Sequence, residues 1–377
     1  MIKKKIVLIG PVYPYKGGIA HYTSLLYQSL CKKHEVKLIS YKMQYPKLLF
    51  KKEQKDFSSD IFKVEDAQFL INTANPFNII RVGKCIKREK PDLVIMQWWH
   101  PYFAPCYWLL SNALGKKIPK LFTCHNVFPH ERFPMDRTLT KLALKKGNYF
   151  IVHSQSDGEE LLQIIPNASY RKNPHPIYNI FRKKNMTREQ ARIELDQGQD
   201  SMQLLFFGFV REYKGLKHLL RAMPEVSRQL NNVNLMVVGS FADDKEEYIQ
   251  LIRDLQIEDC VELIDGYIPD DEIEKYFAAC DLVVLPYESA TQSGIVQIAY
   301  GFDKPVVVTN VGGLPDVVTD GKTGYVVESK KPEQISKAIV NFFQEERAEE
   351  MRENVHMEAY RFDWERMREK IEELLEW

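Results

Sequence analysis

Residues suited to holding an anion occur in both halves of this chain, always just beyond a short apolar run. In the second half, FGFVREYKGL (residues 207–216) sets Arg211 and Lys214 between a predicted strand and the helix that follows Gly215. Two cations so placed suit a diphosphate, because a guanidinium grips two oxygens at once and an ammonium adds a point charge. Further on, LPYESATQSGI (285–295) carries Glu288, Gln292 and Ser293 into a helix that Ser293 and Gly294 begin. The N–H groups of that first turn would face a phosphate or sugar, and Glu288 and Gln292 offer hydrogen bonds to sugar hydroxyls. KPVVVTNVGGLPD (304–316) adds a glycine turn at Gly312 and Gly313.

In the first half, GPVYPYKGGIAHYTSLL places Gly10, Gly17 and Gly18 between a strand and a helix, where backbone can approach a ligand closely. FTCHNVFPHE (122–131) puts His125 and Asn126 at the end of another strand, with His130 and Glu131 beside them; His100, ending QWWH, is a weaker candidate. Taken singly, each segment also fits an ordinary strand-to-helix turn or a solvated loop.

Several chemistries are unsupported. His125 and His130 are five apart, not the i, i+4 of a zinc-binding helix. The first glycines do not spell G-x-G-x-x-G, and DGKTG (320–324) lacks a phosphate loop's earlier glycine, since Asp316 stands there. No Asp-x-Asp and no G-x-S-x-G occurs, which speaks against metal-held diphosphate and against a hydrolase nucleophile elbow.

The elements that must position these residues alternate. Strands are predicted at 5–9, 36–41, 93–97, 120–124 and 149–153, then at 204–207, 234–238, 261–263, 282–285, 306–309 and 325–327. Helices lie between them, among them 19–30, 77–88, 216–229, 245–255 and 271–279. Continuously apolar strands separated by helices imply parallel sheets covered on both faces. The pattern restarts after residues 173–184, which hold two prolines and no periodicity and read as a linker. The expected fold is α/β, with two Rossmann-like doubly wound domains facing a cleft. Residues 1–180 would form the first domain, 181–355 the second, and 356–377 a helix crossing back to the first. In such sheets ligands bind beyond the carboxyl ends of the strands, which is where the candidate residues fall.

The net charge of +1 hides an asymmetry: residues 1–180 carry 28 Lys+Arg against 13 Asp+Glu, and the rest 24 against 38. A basic first half favours an anionic partner such as a membrane leaflet or a lipid pyrophosphate. Segment 45–57, YPKLLFKKEQKDF, mixes lysines with Leu48, Leu49, Phe50 and Phe57 and reads the same way. No apolar run approaches the ~20 residues that span a bilayer, and the six scattered cysteines read as free thiols of a cytoplasmic protein.

With these segments in order, the chain resembles the family 4 glycosyltransferases, a large retaining family of the GT-B fold. The resemblance covers nearly the whole length. Its strongest stretches are FFGFVREYKGL, LMVVG, GYIPDDEIEKYFAACDLVVLPY and SGIVQIAYGFDKPVVVTNVGGLP; HNVFPHE resembles a sub-group active in bacterial surface-polysaccharide synthesis. The resemblance implies that Gly17 and Gly18 approach the donor phosphates and that His125, with Asn126 beside it, contacts the donor sugar. It implies that Lys214 neutralises the leaving diphosphate, that backbone at Tyr267 and Ile268 faces the base, and that Gln292, Ser293 and Gly294 line sugar and phosphates. Two departures stand out. The family's arginine after the first strand of the second domain is here Phe209, leaving that task to Arg211. Its two glutamates eight apart fall on Ala290 and Ile298, with Glu288 and Gln297 as near substitutes. The implied activity is transfer of a sugar from a UDP- or GDP-sugar to a saccharide or lipid-linked acceptor, with no cofactor, metal or nucleic acid. Rival expectations are a nucleotide-sugar 2-epimerase of the same fold and an inactive nucleotide-sugar-binding protein.

Overall fold

A computed structural model describes residues 3–49, 53–129, 133–241 and 245–376. The chain divides into two compact units, Met1–Pro174 with Asp363–Trp377, and His175–Phe362.

Unit 1 is built from β1 (Lys5–Ile9), α1 (Gly18–Cys31), β2 (Glu35–Met43), β3 (Gln68–Asn72), α2 (Pro76–Arg88), β4 (Leu93–Trp98), α3 (Ala104–Leu114), β5 (Lys120–Cys124), α4 (Asp136–Leu144), β6 (Tyr149–Val152), α5 (Gln155–Ile164) and β7 (Tyr170–Lys172). Its sheet is parallel, in the order β3-β2-β1-β4-β5-β6-β7. β4 and β5 are buried along their whole length, as continuously apolar runs covered on both faces should be. β3 and β7 were not expected from the sequence. They are the two edges, three residues of QFLIN and two of YRK are exposed, and neither carries the buried apolar run by which the inner strands are recognised.

Unit 2 continues with α6 (Arg188–Glu194), β8 (Met202–Phe207), α7 (Leu216–Gln229), β9 (Val233–Gly239), α8 (Lys245–Asp254), β10 (Val261–Asp265), α9 (Ile273–Ala279), β11 (Leu282–Leu285), α10 (Gly294–Gly301), β12 (Val306–Thr309), α11 (Leu314–Val317), β13 (Gly324–Val327), α12 (Pro332–Gln344) and α13 (Ala348–Glu358). Its parallel sheet runs β10-β9-β8-β11-β12-β13. Each unit is therefore a doubly wound, Rossmann-like domain. The strand order reverses beside β1 and β4 in unit 1, and beside β8 and β11 in unit 2. Those are the switch points at which such sheets bind ligands.

The segment read as an aperiodic linker is not a free tether. Ile177, Tyr178 and Phe181 are buried, the Tyr178 amide donates to the Gln297 carbonyl at 3.3 Å, and the Ile177 amide to Phe362 at 2.9 Å. Its prolines break periodicity, but its apolar side chains still pack on α10.

The last helix, α14 (Trp364–Leu374), belongs to unit 1. Met367, Ile371 and Leu374 join Tyr22, Leu26 and Leu30 of α1 over Ile6 and Leu8 of β1. At one end Ser29 Oγ donates to the Trp364 carbonyl at 2.9 Å, and at the other the buried His34 and Glu372 meet at 3.0 Å. Ile371 is fully buried, so Ile371→Ala should lower unit 1's unfolding free energy by about 2–5 kcal/mol. Urea titration followed by tryptophan fluorescence measures this; a loss well under that range would show α14 to be a loosely held appendage.

Candidate functional site

In unit 2 the loops after β8 and β11 are locked together by backbone. Gly215, at φ 65°, begins α7, and a Cβ there would lie 2.0 Å from the Pro286 carbonyl oxygen. A side chain is excluded both by the left-handed backbone and by that contact. The Glu288 amide donates to the Tyr213 carbonyl at 2.7 Å, binding the same two loops one step further out.

Lys214 is held by this junction. Its Nζ lies 5.5 Å from the centre of the Tyr287 ring and 3.1 Å from where a Cβ on Gly208 would stand. Among the described residues no carboxylate pairs with it within 4 Å. Burial holds the ammonium below the ordinary lysine value; Tyr213 opposes this and nearby Arg211 reinforces it. A half-desolvated cation without a counter-charge is disposed to take an anion. Arg211, exposed and immediately preceding the short helical turn Glu212–Lys214, stands on the same loop.

Glu288 is already committed. His218 Nε2 donates to Oε1 at 2.8 Å, and Lys330 Nζ approaches Oε2 at 2.7 Å. Burial acts to raise its carboxyl, and the bonds from Lys330 and His218 outweigh that and hold it below the usual glutamate value. Its carboxylate thus ties the β11–α10 loop to α7 and to the segment after β13. Neither His218 nor Lys330 was singled out from the sequence: α7 looks amphipathic with or without a histidine, and Lys330 lies 42 residues from Glu288.

Beyond Glu288 the chain enters α10. A Cβ on Gly312 would fall 1.6 Å from the Ala290 carbonyl, and the Gly313 amide donates to Thr291 at 2.9 Å. The glycine turn after β12 thereby fixes the approach to the helix. Ser293 is the N-cap but makes no side-chain cap bond; its hydroxyl lies 3.4 Å from that of Tyr287. Gln292 is half-buried on the same approach. Gln297, three residues into α10 from Gly294, is fully buried, and neither atom of its amide meets a hydrogen-bond partner among the described residues. An unsatisfied buried amide costs about 1–3 kcal/mol. Tyr267 and Ile268 follow β10, with Tyr267 38% exposed; Gly266 before them, at φ 144°, has open space where a Cβ would be.

In unit 1, Gly17 (φ 101°) caps α1 without a side chain, and nothing lies within 4 Å of where a Cβ on Gly17 or Gly18 would point. His125 follows β5 and is buried. The Gln97 side-chain carbonyl accepts from its Nε2 at 2.7 Å, which places the proton on Nε2 and leaves Nδ1 as the ring's other polar atom. Behind it Tyr22 packs edge-on against His125, His153 and Trp364, with centroids 4.6, 5.3 and 4.9 Å away. Burial lowers His153 to about 4, with the Asn173 carbonyl opposing, so that ring is a neutral packing element at physiological pH. Asn126 Nδ2 donates to the Trp99 carbonyl at 3.3 Å. His100 caps a short helical turn, accepting from the Tyr102 amide at 3.1 Å. His130 and Glu131 lie outside the described residues. Gln97 is a further residue that sequence reading missed; its signal was its place at the carboxyl end of β4, beside the switch point.

Two Rossmann-like domains, one with a cation and helix N-terminus at its switch point and one with a buried histidine at its own, have the architecture of the GT-B fold. The comparisons agree. Residues 187–362 match the family described as glycosyl transferases group 1, and residues 16–179 match glycosyltransferase family 4. The chain belongs to the family 4 glycosyltransferases. It is 29% identical to the D-inositol 3-phosphate glycosyltransferase of Corynebacterium diphtheriae, over 60% of this chain and 53% of that protein. It is 26% identical to the lipopolysaccharide 1,2-N-acetylglucosaminetransferase of Salmonella typhimurium, over 56% of this chain and 55% of that one. These matches thus span about half the length of each relative. Among solved structures, Anabaena Alr3699/HepE in complex with UDP and glucose superposes with a TM-score of 0.75 at 17% identity, over 99% of both chains, a likeness of fold.

If Lys214 takes the anion, affinity for inorganic pyrophosphate should fall as the ammonium is lost. Because burial sets its folded value below 10.5, that loss should begin at a lower pH than for an ordinary lysine. Lys214→Arg should carry the limb to higher pH. Calorimetric titration across pH 7–10.5 checks this; an unmoved limb in the arginine variant assigns it to another group.

Proposed function

We propose that this protein transfers a sugar from a UDP- or GDP-sugar to a saccharide or lipid-linked acceptor, with retention, in the synthesis of a cell-surface polysaccharide. The observation that carries the reading is the Lys214 ammonium, without an acidic partner among the described residues, at the β8–β11 switch point. Charge develops on the diphosphate as the bond to the anomeric carbon breaks, and a preorganised cation stabilises that change. In this reading Arg211 and the first turn of α10, at Ser293 and Gly294, share the diphosphate. Gln292 and the buried Gln297 amide hydrogen-bond sugar or ribose, and the backbone at Tyr267 and Ile268 meets the base. Gly17, Gly18, His125 and Asn126 serve as the family resemblance implies. Glu288 acts by holding loops, since both its oxygens are engaged.

The acceptor hydroxyl attacks the carbon the nucleoside diphosphate is leaving, from the same face. The surface-polysaccharide setting draws on the lipopolysaccharide transferase among the relatives and on the HNVFPHE segment. No helix among the described residues is long and apolar enough to cross a membrane; attachment at the inner face of the plasma membrane would be peripheral.

Thermal-shift screening against UDP-, GDP- and ADP-sugars should reveal one donor class, and NMR of the product should show the donor's anomeric configuration kept. Lys214→Ala should cut turnover by roughly 10²–10³-fold with its circular dichroism unchanged. Wild-type turnover in that variant would remove the lysine from the mechanism. Donor binding without transfer to any acceptor would favour an inactive binding protein, and sugar inversion without acceptor an epimerase.

A further inference from the structure

We propose that the outer surface of α2, α3 and α4 in unit 1 docks on an anionic lipid bilayer. The three helices lie on one face of the sheet: α3 packs against both α2 and α4, and all three share a core distinct from the one beneath α1 and α14. Gly83 of α2 sets their spacing, since a Cβ there already stands 2.6 Å from the Ala113 side chain.

Residues 76–149, which span these helices, hold 13 Lys+Arg and four Asp+Glu. On α2, the buried side chains Ile79, Val82 and Ile86 face inward. Phe77, Arg81, Lys84 and Arg88 recur at i, i+4, i+7 and i+11, and so form one outward line. All four are exposed, Phe77 by 85%. Among the described residues none of these three cations, nor Lys141 and Lys145 of the α4 end, has an acidic partner within 4 Å. In unit 2, by comparison, the exposed Arg228 and the half-buried Arg347 and Arg361 each pair with a neighbouring glutamate.

Between the two basic helices lies α3, which holds no charged residue and leaves Trp108 and Leu109 partly exposed. Lys146 Nζ stands 5.8 Å from the Trp108 ring centre. Cations flanking an exposed phenylalanine and a tryptophan suit the headgroup region, where rings sit below the phosphates and long basic side chains reach up to them. Segment 45–57 shows the same mixture, with Leu48 and Leu49 87% and 64% exposed, Phe50 lying outside the described residues. A nucleic acid would use the cations but not the exposed aliphatic and aromatic edges. Docking needs no donor, so its test is independent of the transfer reaction.

The full-length protein should float with vesicles of equimolar zwitterionic and anionic phospholipid, and not with vesicles of zwitterionic lipid alone. Raised salt should weaken the binding. Arg81→Glu/Lys84→Glu/Arg88→Glu should reduce the bound fraction by at least about tenfold, with unchanged circular dichroism and unchanged donor hydrolysis. Arg221→Glu/Lys322→Glu/Lys337→Glu, an equal charge change at exposed sites of unit 2, should float like the wild type. The proposal is overturned if the triple α2 variant floats like the wild type, or if the unit 2 control loses binding equally. It is also overturned if the protein binds duplex DNA while ignoring anionic vesicles.

Discussion

The carbonyl of Pro286 occupies the space that any side chain at position 215 would need. That single steric exclusion lets the loop after β8 lie against the loop after β11, and the bond from the Glu288 amide to Tyr213 then seals the two. Lys214 is caught between them, beside the Tyr287 ring, without the freedom that makes most lysines poor at holding a fixed position. Its charge therefore stands at the switch point, as the proposed stabilisation of a leaving diphosphate would need. The Glu288 carboxylate adds a second tie, through His218 and Lys330. The acid that the sequence offers for sugar hydroxyls also braces the lysine's loop.

Unit 1 solves a parallel problem with aromatic packing. Tyr22 from α1 touches His125, His153 and Trp364, so three strand and helix ends converge on one ring. Gln97 then sets the proton on His125.

Much of this was legible in the sequence, and the limits have physical reasons. The inner strands are apolar throughout because helices cover both faces; β1, β5, β11 and β12 accordingly fall at the residues their composition indicates. The edge strands β3 and β7 bury little, and so carry no pattern to read. Lys214, Ser293 and Gly294 could be placed because they are local to a strand end and a helix start. The partners of Glu288 could not, since a contact between residues 218, 288 and 330 is a property of the folded chain and not of any short stretch. The glycines at 215 and 312 were visible as letters, but the carbonyls that make them obligatory were not.

The chain order of the two units has a consequence for biogenesis. Unit 2 is one continuous stretch, His175–Phe362, whereas unit 1 is completed by residues that follow it. A ribosome therefore releases every strand and helix of the second unit while the first still lacks α14. Ile6, Leu8, Tyr22 and Leu26 remain uncovered on that side until Met367, Ile371 and Leu374 emerge. The earlier-made domain is the later to mature, and during that interval its bare apolar face is what a nascent-chain chaperone would meet.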